Sequence, residues 1–120
     1  MVKKDQDVEI EIGSGNVFKD FGYPNPELAQ AKADLARQIH QTIKKRKLTQ
    51  AQAAKLMGID QPKVSDVIRG RLAKYSIDRL MRFLVLLGKD VAIQIMDHRA
   101  KTTPPRVYVK QSARRRRPSI

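Results

Sequence analysis

The sequence predicts a mainly α-helical protein: a small helical bundle with short terminal strands and a disordered basic C-terminal tail. Between residues 25 and 97, apolar residues recur at helical spacing, in segments that begin with capping side chains and end at glycines. Residues 8–12 and 90–96 instead have the apolar pattern of short strands. Residues 98–120 combine prolines with an arginine run and lack a buried pattern, which is typical of disorder.

Charge is distributed unevenly along the 120 residues. The formal net charge is +13, from 25 Lys and Arg against 12 Asp and Glu. Residues 1–24 carry 3 basic and 5 acidic side chains, residues 25–97 carry 14 and 7, and residues 98–120 carry 8 basic and no acidic ones. A basic domain followed by a more basic tail favours a polyanionic partner, and nucleic acid above all.

Composition argues against several classes of protein. There are no cysteines, which excludes disulfides and thiolate metal sites, and the two histidines, His40 and His98, are too far apart to indicate a metal site. We find no nucleophile–base pairing, metal cluster or phosphate-cradling glycine loop, so we predict neither enzymatic activity nor a cofactor. No apolar run approaches the roughly 20 residues of a membrane span, and the N-terminus is too polar for a secretory signal. We therefore expect a cytoplasmic protein that does not bind membranes.

The chain divides into three predicted segments. Residues 1–24 form an N-terminal strand, at 8–12, and a lead-in segment. Residues 25–97 form the helical domain, which ends with the strand at 90–96. Residues 98–120 form the basic tail. A chain of this length suits one domain, since domains commonly hold about 100–150 residues.

The first two helices are predicted from their starting residues. Asn25 and Pro26 begin the first helix, because a capping side chain precedes proline at the position where its missing N–H is harmless. That helix is expected to run to about Lys47. Thr49 and Gln52 begin the second helix as the two ends of a capping box.

The third and fourth helices are predicted in the same way. Asp60 caps the third helix and Ser76 caps the fourth. An apolar residue before each cap is placed to form a hydrophobic staple with one after it. The staple pairs are Ile59 with Val64 and Tyr75 with Leu80. The glycines that end the second, third and fourth helices are Gly58, Gly70 and Gly88.

Two short helices joined by a tight turn that contains glycine are the sequence form of a helix-turn-helix. The small side chain of Ala54 lets the two helices cross closely. Gly58 permits a left-handed turn that a side chain would resist. Val64 and Val67 fix the third helix against the first two. These four residues and Gln50 are spaced along the sequence so that the second helix of the motif, the third of the chain, points outward.

The segment LTQAQAAKLMGIDQPKVSDVIRGRLAKYSIDRLMRFLVLLG resembles the Xre family of phage-repressor-like DNA-binding domains. With IGSGNVFKDFGYPNPE upstream and DVAIQI downstream, the chain more narrowly resembles antitoxins of the HigA kind. The resemblance covers residues 8–96 but not the arginine-rich tail. It implies a repressor-like fold and two functions: sequence-specific repression of transcription, and neutralisation of a small ribonuclease toxin.

The second helix of a helix-turn-helix enters the DNA major groove with its N-terminal end. At about 100° per residue, the side chains opposite the valines form the outward face of helix 60–69. The candidates for base contacts on this face are Gln61, Pro62, Lys63, Ser65, Asp66 and Arg69. Glutamine suits adenine, and lysine or arginine suits guanine. Asp66 can accept from a cytosine amino group or pair with a neighbour such as Arg69. The candidates for phosphate contacts are Thr49, Gln50, Arg71 and Lys74.

Plainer interpretations remain open for several of these residues. Thr49 caps a helix, and that role is compatible with a phosphate contact from its backbone. The cations at 44–47 are better explained as complements of the helix dipole than as DNA contacts. Arg114 to Arg117 form either a nonspecific phosphate binder or a solubilising end. The whole motif could also be a scaffold that has lost DNA binding.

Assembly is predicted from the size of the module. One such domain buries too little surface to find one site among many, so we expect a homodimer on a palindromic operator with half-sites about 34 Å apart. The expected dimer interface is Leu80, Phe83, Leu84, Leu87, Val91, Ile93 and Ile95. The strands at 8–12 and 90–96 could pair within one chain or across the two-fold axis. A small basic toxin would bind the acidic 5–12 segment and the GSGNVF region. Nonspecific nucleic-acid binding through the tail is a further alternative.

Overall fold

A computed structural model describes residues 7–11 and 25–114 of the chain. It is mainly helical, as the sequence predicts. The elements, in chain order, are β1 (Asp7–Glu11), α1 (Pro26–Lys45), α2 (Gln50–Met57), α3 (Gln61–Ile68), α4 (Ile77–Leu86) and β2 (Lys110–Arg114). The lead-in residues 13–24 lie outside the described residues.

All four predicted helix starts are confirmed by their caps. The Asn25 side chain accepts a hydrogen bond from the Leu28 N–H at 3.3 Å, and Pro26 follows it. The Ser76 hydroxyl accepts from the Arg79 N–H at 3.3 Å at the start of α4. Both members of each predicted staple pair belong to the hydrophobic core or pack against it. Each helix therefore begins where a side chain satisfies backbone N–H groups that the helix itself cannot.

The first helix ends two residues earlier than predicted, in a strained turn. Lys47 adopts the left-handed conformation, with φ of 57°. Its N–H donates to the Lys44 carbonyl at 3.0 Å, and the Leu48 N–H donates to the Ile43 carbonyl at 3.0 Å. This pair of bonds is the Schellman motif, which glycine usually completes because it has no Cβ to resist a positive φ.

One hydrophobic core joins the four helices. Its most deeply buried apolar side chains are Ile39, Ala53, Val64, Val67, Leu80 and Leu87. α4 packs against α1, and α3 packs against α1 and α2. The Arg46 guanidinium donates to the Leu87 carbonyl at 2.8 Å, which fastens the C-terminal end of α1 to that of α4.

One carboxylate is buried within α1. The Asp34 side chain is 1% exposed, and its Oδ1 accepts from the Gln30 amide at 3.1 Å and lies 3.4 Å from a guanidinium nitrogen of Arg37. Its Oδ2 is buried without a hydrogen-bond partner in the described part of the chain. Burial raises the pKa of Asp34 above its ordinary value of 3.8, and Gln30 and then Arg37 oppose that rise.

The predicted strand at 90–96 is wrong, and the tail is not wholly disordered. Residues 89–100 have no regular structure, whereas 110–114, inside the predicted tail, form β2 and pair antiparallel with β1. The register sets Asp7 opposite Arg114 and Glu11 opposite Lys110.

The helical part of the predicted dimer interface is also wrong. Four of its members are buried inside a single chain: Leu80, Phe83, Leu84 and Leu87. They fill the core between α1 and α4, so they have no surface to offer a second subunit. The other three members, Val91, Ile93 and Ile95, are exposed.

The described residues lack two further kinds of feature. None of their helices is long and apolar enough to cross a membrane. Within the same residues there is no group of three or more His, Asp or Glu side chains that could hold a metal ion.

Candidate nucleic-acid interface

The turn between α2 and α3 is built from the residues that the sequence singles out. At the start of α2, the Thr49 hydroxyl accepts from the Gln52 N–H at 3.0 Å, and the Gln52 side chain accepts from the Thr49 N–H at 2.8 Å. At its end, Gly58 has φ of 74° and ψ of 29°, and its N–H donates to the Ala54 carbonyl at 2.8 Å. The capping box and the left-handed turn are therefore both confirmed, and they fix both ends of α2.

α3 is held by its inner face. Val64 and Val67 have no exposed surface, and Ala54 of α2 is 6% exposed. At the start of α3, the Asp60 carboxylate accepts from the Lys63 N–H at 3.2 Å, and Pro62 lies in the first turn. Because both valines are enclosed, α3 cannot rotate about its axis without opening the core, and its other face is held toward solvent.

The six predicted base-contacting residues all lie on α3 or at its C-terminal end. Gln61, Pro62, Lys63 and Arg69 are exposed, and Ser65 and Asp66 are half-buried. The face presents amide, ammonium, hydroxyl, carboxylate and guanidinium groups within about two and a half helical turns. These groups can donate to and accept from base edges in the major groove. Whether they do so remains a prediction.

Asp66 pairs with Arg71 and not with Arg69. The Arg71 guanidinium lies 3.7 Å from the Asp66 carboxylate. α3 ends in a second Schellman motif, in which the Gly70 N–H donates to the Val67 carbonyl at 3.1 Å and the Arg71 N–H donates to the Asp66 carbonyl at 2.8 Å. This turn folds Arg71 back along the helix toward Asp66. Arg71, a predicted phosphate contact, thus lies beside the one acidic group of the outward face.

The other predicted phosphate contacts lie at the two edges of this face. Thr49 and Gln50 stand at the beginning of α2, where first-turn N–H groups point along the helix axis. Thr49 is exposed and Gln50 is half-buried. Lys74 is exposed in the segment after α3. The partial positive charge of a helix N-terminus and a flanking lysine both attract phosphate oxygens.

Two features of this surface were missed by sequence reasoning. The Lys63 ammonium lies 4.0 Å from the Asp60 carboxylate, so the capping residue also positions a candidate base contact. The spacing of three residues between Asp60 and Lys63 could have indicated this ion pair. The Arg79 guanidinium lies 5.0 Å from the centre of the Tyr75 ring and 5.6 Å from that of Phe83.

The Tyr75 ring forms the wall between this surface and the core. It is buried and meets the Phe83 ring edge-on, with the ring centres 5.9 Å apart. Burial raises the pKa of the Tyr75 hydroxyl; Arg79 lowers that pKa, whereas Asp66 raises it. No sequence signal distinguishes this arrangement from ordinary core packing.

Comparisons with known proteins agree with a helix-turn-helix fold. A family model described as a helix-turn-helix domain matches residues 17–96. A solved structure described as "Putative XRE Family Transcriptional Regulator" is 37% identical to this chain, with 72% of this chain and 97% of that chain covered and a TM-score of 0.67. No curated protein is similar enough to this chain to count as a match.

Proposed function

The chain belongs to the Xre family of helix-turn-helix DNA-binding regulators, and we propose that it is a non-enzymatic, sequence-specific repressor that acts in the cytoplasm. The observation that carries the proposal is the outward face of α3. Four of its six side chains are exposed and two, Ser65 and Asp66, are half-buried, while Val64 and Val67 behind them are fully enclosed. A rigid helix that presents several hydrogen-bonding side chains is the arrangement that major-groove recognition requires.

Recognition divides between the two helices. The beginning of α2 and Lys74 hold phosphates and so set the register of the protein on the duplex. Gln61 then lies at the tip of α3 and pairs with adenine, while Lys63 and Arg69 donate to guanine. Each good base contact contributes about 1–3 kcal/mol of discrimination against a wrong base.

A homodimer on a palindromic operator is part of this proposal. One helix-turn-helix contacts only a few base pairs, and dimers of such domains bind half-sites about 34 Å apart. Repression follows when the bound dimer overlaps a promoter.

Fluorescence anisotropy tests the proposal directly. The protein is titrated onto its own upstream DNA and onto a scrambled duplex of equal length, across a salt series. We expect preferential binding to the upstream DNA, and we expect Gln61→Ala and Arg69→Ala each to reduce that preference by about 5- to 150-fold, the equivalent of one base contact. Gln41→Ala on α1 and Arg82→Ala on α4 are matched controls, because both side chains are exposed outside α2 and α3.

Equal binding of both duplexes, unchanged by the α3 variants, would contradict the proposal. That result would favour nonspecific DNA binding by the tail. For such binding, the logarithm of the association constant falls by about 0.9 per log unit of salt for each phosphate contacted. Neutralising Arg115 to Arg117 tests the tail more cleanly than deleting residues 98–120. The deletion would also remove β2 and the packing of Val109 against the core.

An antitoxin activity is the second candidate, in addition to repression. The resemblance to antitoxins of the HigA kind supports it, as does the acidic β1, which already pairs with a basic strand of its own chain. A small basic ribonuclease could displace β2 from β1 and pair with β1 in its place. Co-expression with the product of a neighbouring gene tests this: restored growth that depends on Asp7, Glu9 and Glu11 supports it, and unrelieved toxicity opposes it.

A further inference from the structure

A groove opens between α1 and the C-terminal end of α3. Its volume is about 240 Å³. Small and basic residues dominate its lining: Ala33, Ala36, Arg37 and His40 of α1, and Arg69 and Gly70 in the turn that follows α3. The pockets of drug-sized ligands measure roughly 300–1,000 Å³, so this groove suits a smaller molecule.

The charged side chains in the lining are basic. Arg37 and Arg69 contribute two guanidinium groups, and His40 adds an imidazole. The Arg37 side chain is 51% exposed, and Arg69 forms no ion pair within the described residues. No carboxylate belongs to the described lining, so the groove offers two positive charges to an anion.

One of these arginines is paired with a buried carboxylate. The Asp34 side chain is 1% exposed and lies 3.4 Å from Nη1 of Arg37. The remaining N–H groups of that guanidinium are available to a ligand. The second oxygen of Asp34 has no hydrogen-bond partner in the described part of the chain, an arrangement that is costly for folding. Departures of this kind from ordinary packing are typical of functional sites, which indicates that Asp34 is a positioning residue for Arg37.

We propose that this groove binds the phosphate group of a small free molecule, with Arg37 and Arg69 as its charged partners and His40 as a hydrogen-bond donor. Two guanidinium groups match the charge of a phosphate dianion. They also carry more N–H donors than the two oxygens of a carboxylate can accept, whereas a phosphate group has at least three acceptor oxygens. The chemistry of the lining therefore favours phosphate over carboxylate.

The position of the groove favours a free molecule over the DNA backbone. A recognition helix enters the major groove with its N-terminal end, whereas this groove lies at the C-terminal end of α3. Its other wall is α1, which precedes the helix-turn-helix formed by α2 and α3.

Arg69 connects the groove to the proposed DNA-binding surface. The same guanidinium is a proposed guanine contact, so a phosphate in the groove and a base in the major groove compete for it. By thermodynamic linkage, phosphate weakens operator binding by the factor by which the operator weakens phosphate binding. That factor is at most the value of one base contact, about 5- to 150-fold. This competition rests on the proposed function, whereas phosphate binding does not, so the two can fail separately.

Two-dimensional NMR of the full chain without DNA tests the site. Inorganic phosphate and glycerol 3-phosphate are each titrated to about 20 mM, with the ionic strength held constant by chloride. We expect saturable shifts of the backbone amide signals of Ala36, His40 and Gly70. Shifts that stay linear in phosphate concentration over the whole range would overturn the site.

Arginine variants test which groups hold the phosphate. Arg37→Gln and Arg69→Gln should each weaken binding by about tenfold or more, since each leaves the phosphate with one guanidinium. Arg37→Lys should weaken it less, because it keeps the charge and loses only the planar fork. Arg82→Gln is the matched control, an exposed arginine on α4 whose loss should change nothing. Saturable binding that survives both Arg37→Gln and Arg69→Gln would overturn the assignment.

Fluorescence anisotropy on the upstream DNA tests the competition. At constant ionic strength, about 20 mM phosphate should weaken operator binding by the wild-type protein but not by Arg37→Gln. An equal loss in both proteins would overturn the coupling through this groove. A salt slope of DNA binding that is shallower by about 0.9 in Arg37→Gln, without saturable phosphate binding by the wild-type protein, would assign the groove to the DNA backbone and overturn the proposal.

Discussion

Asp66 offers the sharpest prediction about how this protein distinguishes DNA sequences. Its carboxylate lies 3.7 Å from the Arg71 guanidinium, and the two side chains are 40% and 68% exposed. An ion pair this exposed contributes about 0–1 kcal/mol to folding, so Asp66→Ala should leave the protein folded. The same substitution removes a negative charge from the proposed DNA-binding surface and releases Arg71.

The effect on DNA binding can be worked out from the salt dependence. Each phosphate that the protein neutralises makes the slope of the log association constant against log salt concentration steeper by about 0.9. If the released Arg71 takes one phosphate, Asp66→Ala steepens that slope by about 0.9 for every duplex. The gain in affinity is then about 3.5-fold larger at 50 mM than at 200 mM salt. Losing a contact to a cytosine amino group would meanwhile reduce discrimination by about 1–3 kcal/mol. Specificity should therefore fall while affinity for scrambled DNA rises.

Anisotropy on operator and scrambled duplexes at several salt concentrations measures both quantities. Arg71→Ala and the double variant are the controls: the steeper slope should disappear when Arg71 is removed together with Asp66. A clear loss of binding to every duplex after Asp66→Ala would refute this reasoning. So would a steeper slope that persists in the double variant.

The remaining predictions concern folding, and urea unfolding measures each of them. Gly58→Ala should destabilise the protein by about 1 kcal/mol, purely through its positive φ, because a Cβ there meets nothing within 4 Å. Lys47→Gly should stabilise it by about 0.5–1 kcal/mol, since it relieves a left-handed lysine with φ of 57°. Asp34→Asn should stabilise it by about 1 kcal/mol at neutral pH, because it removes a buried charge with an unpartnered oxygen. The raised pKa of Asp34 means that the folded state takes up its proton first as pH falls. This residue's contribution to stability therefore increases from the raised pKa down to the ordinary 3.8, and Asp34→Asn should flatten that rise.

The helices could be predicted because their signals are local. The Thr49 and Gln52 side chains satisfy N–H groups within three residues, and a left-handed turn at Gly58 requires nothing beyond its own backbone. Such signals depend on residue type and spacing alone. The faces of α3 followed from the same spacing, because Val64 and Val67 had to lie inward for the helix to pack at all.

The first strand was predicted within one residue of where β1 begins, but its partner could not be predicted because it lies more than 90 residues away in the chain. Residues 90–96 have the composition of a strand, but β1 pairs with residues 110–114, whose signal is charge opposite charge and not apolar alternation. The helical part of the expected dimer interface was wrong for a related reason. Leu80 and Phe83 are apolar enough for an interface, but the 20-residue α1, distant in the chain, covers them. The Asp66–Arg71 pair depends on a Schellman turn whose geometry a helical wheel does not represent.

The two wrong predictions, the strand at 90–96 and the helical dimer interface, concern the part of the chain that would set the geometry of a DNA complex. The Arg46–Leu87 hydrogen bond of 2.8 Å fastens the end of α4 to α1, and Lys89 follows two residues later. This bond leaves little slack between the core of the domain and the chain that follows it. In a homodimer, the distance between the two α3 helices, and with it the spacing of the half-sites, would follow from how the two domains pack together. The proposed base contacts follow from local residue spacing, whereas operator spacing would depend on contacts between two copies of the chain, which no local pattern predicts.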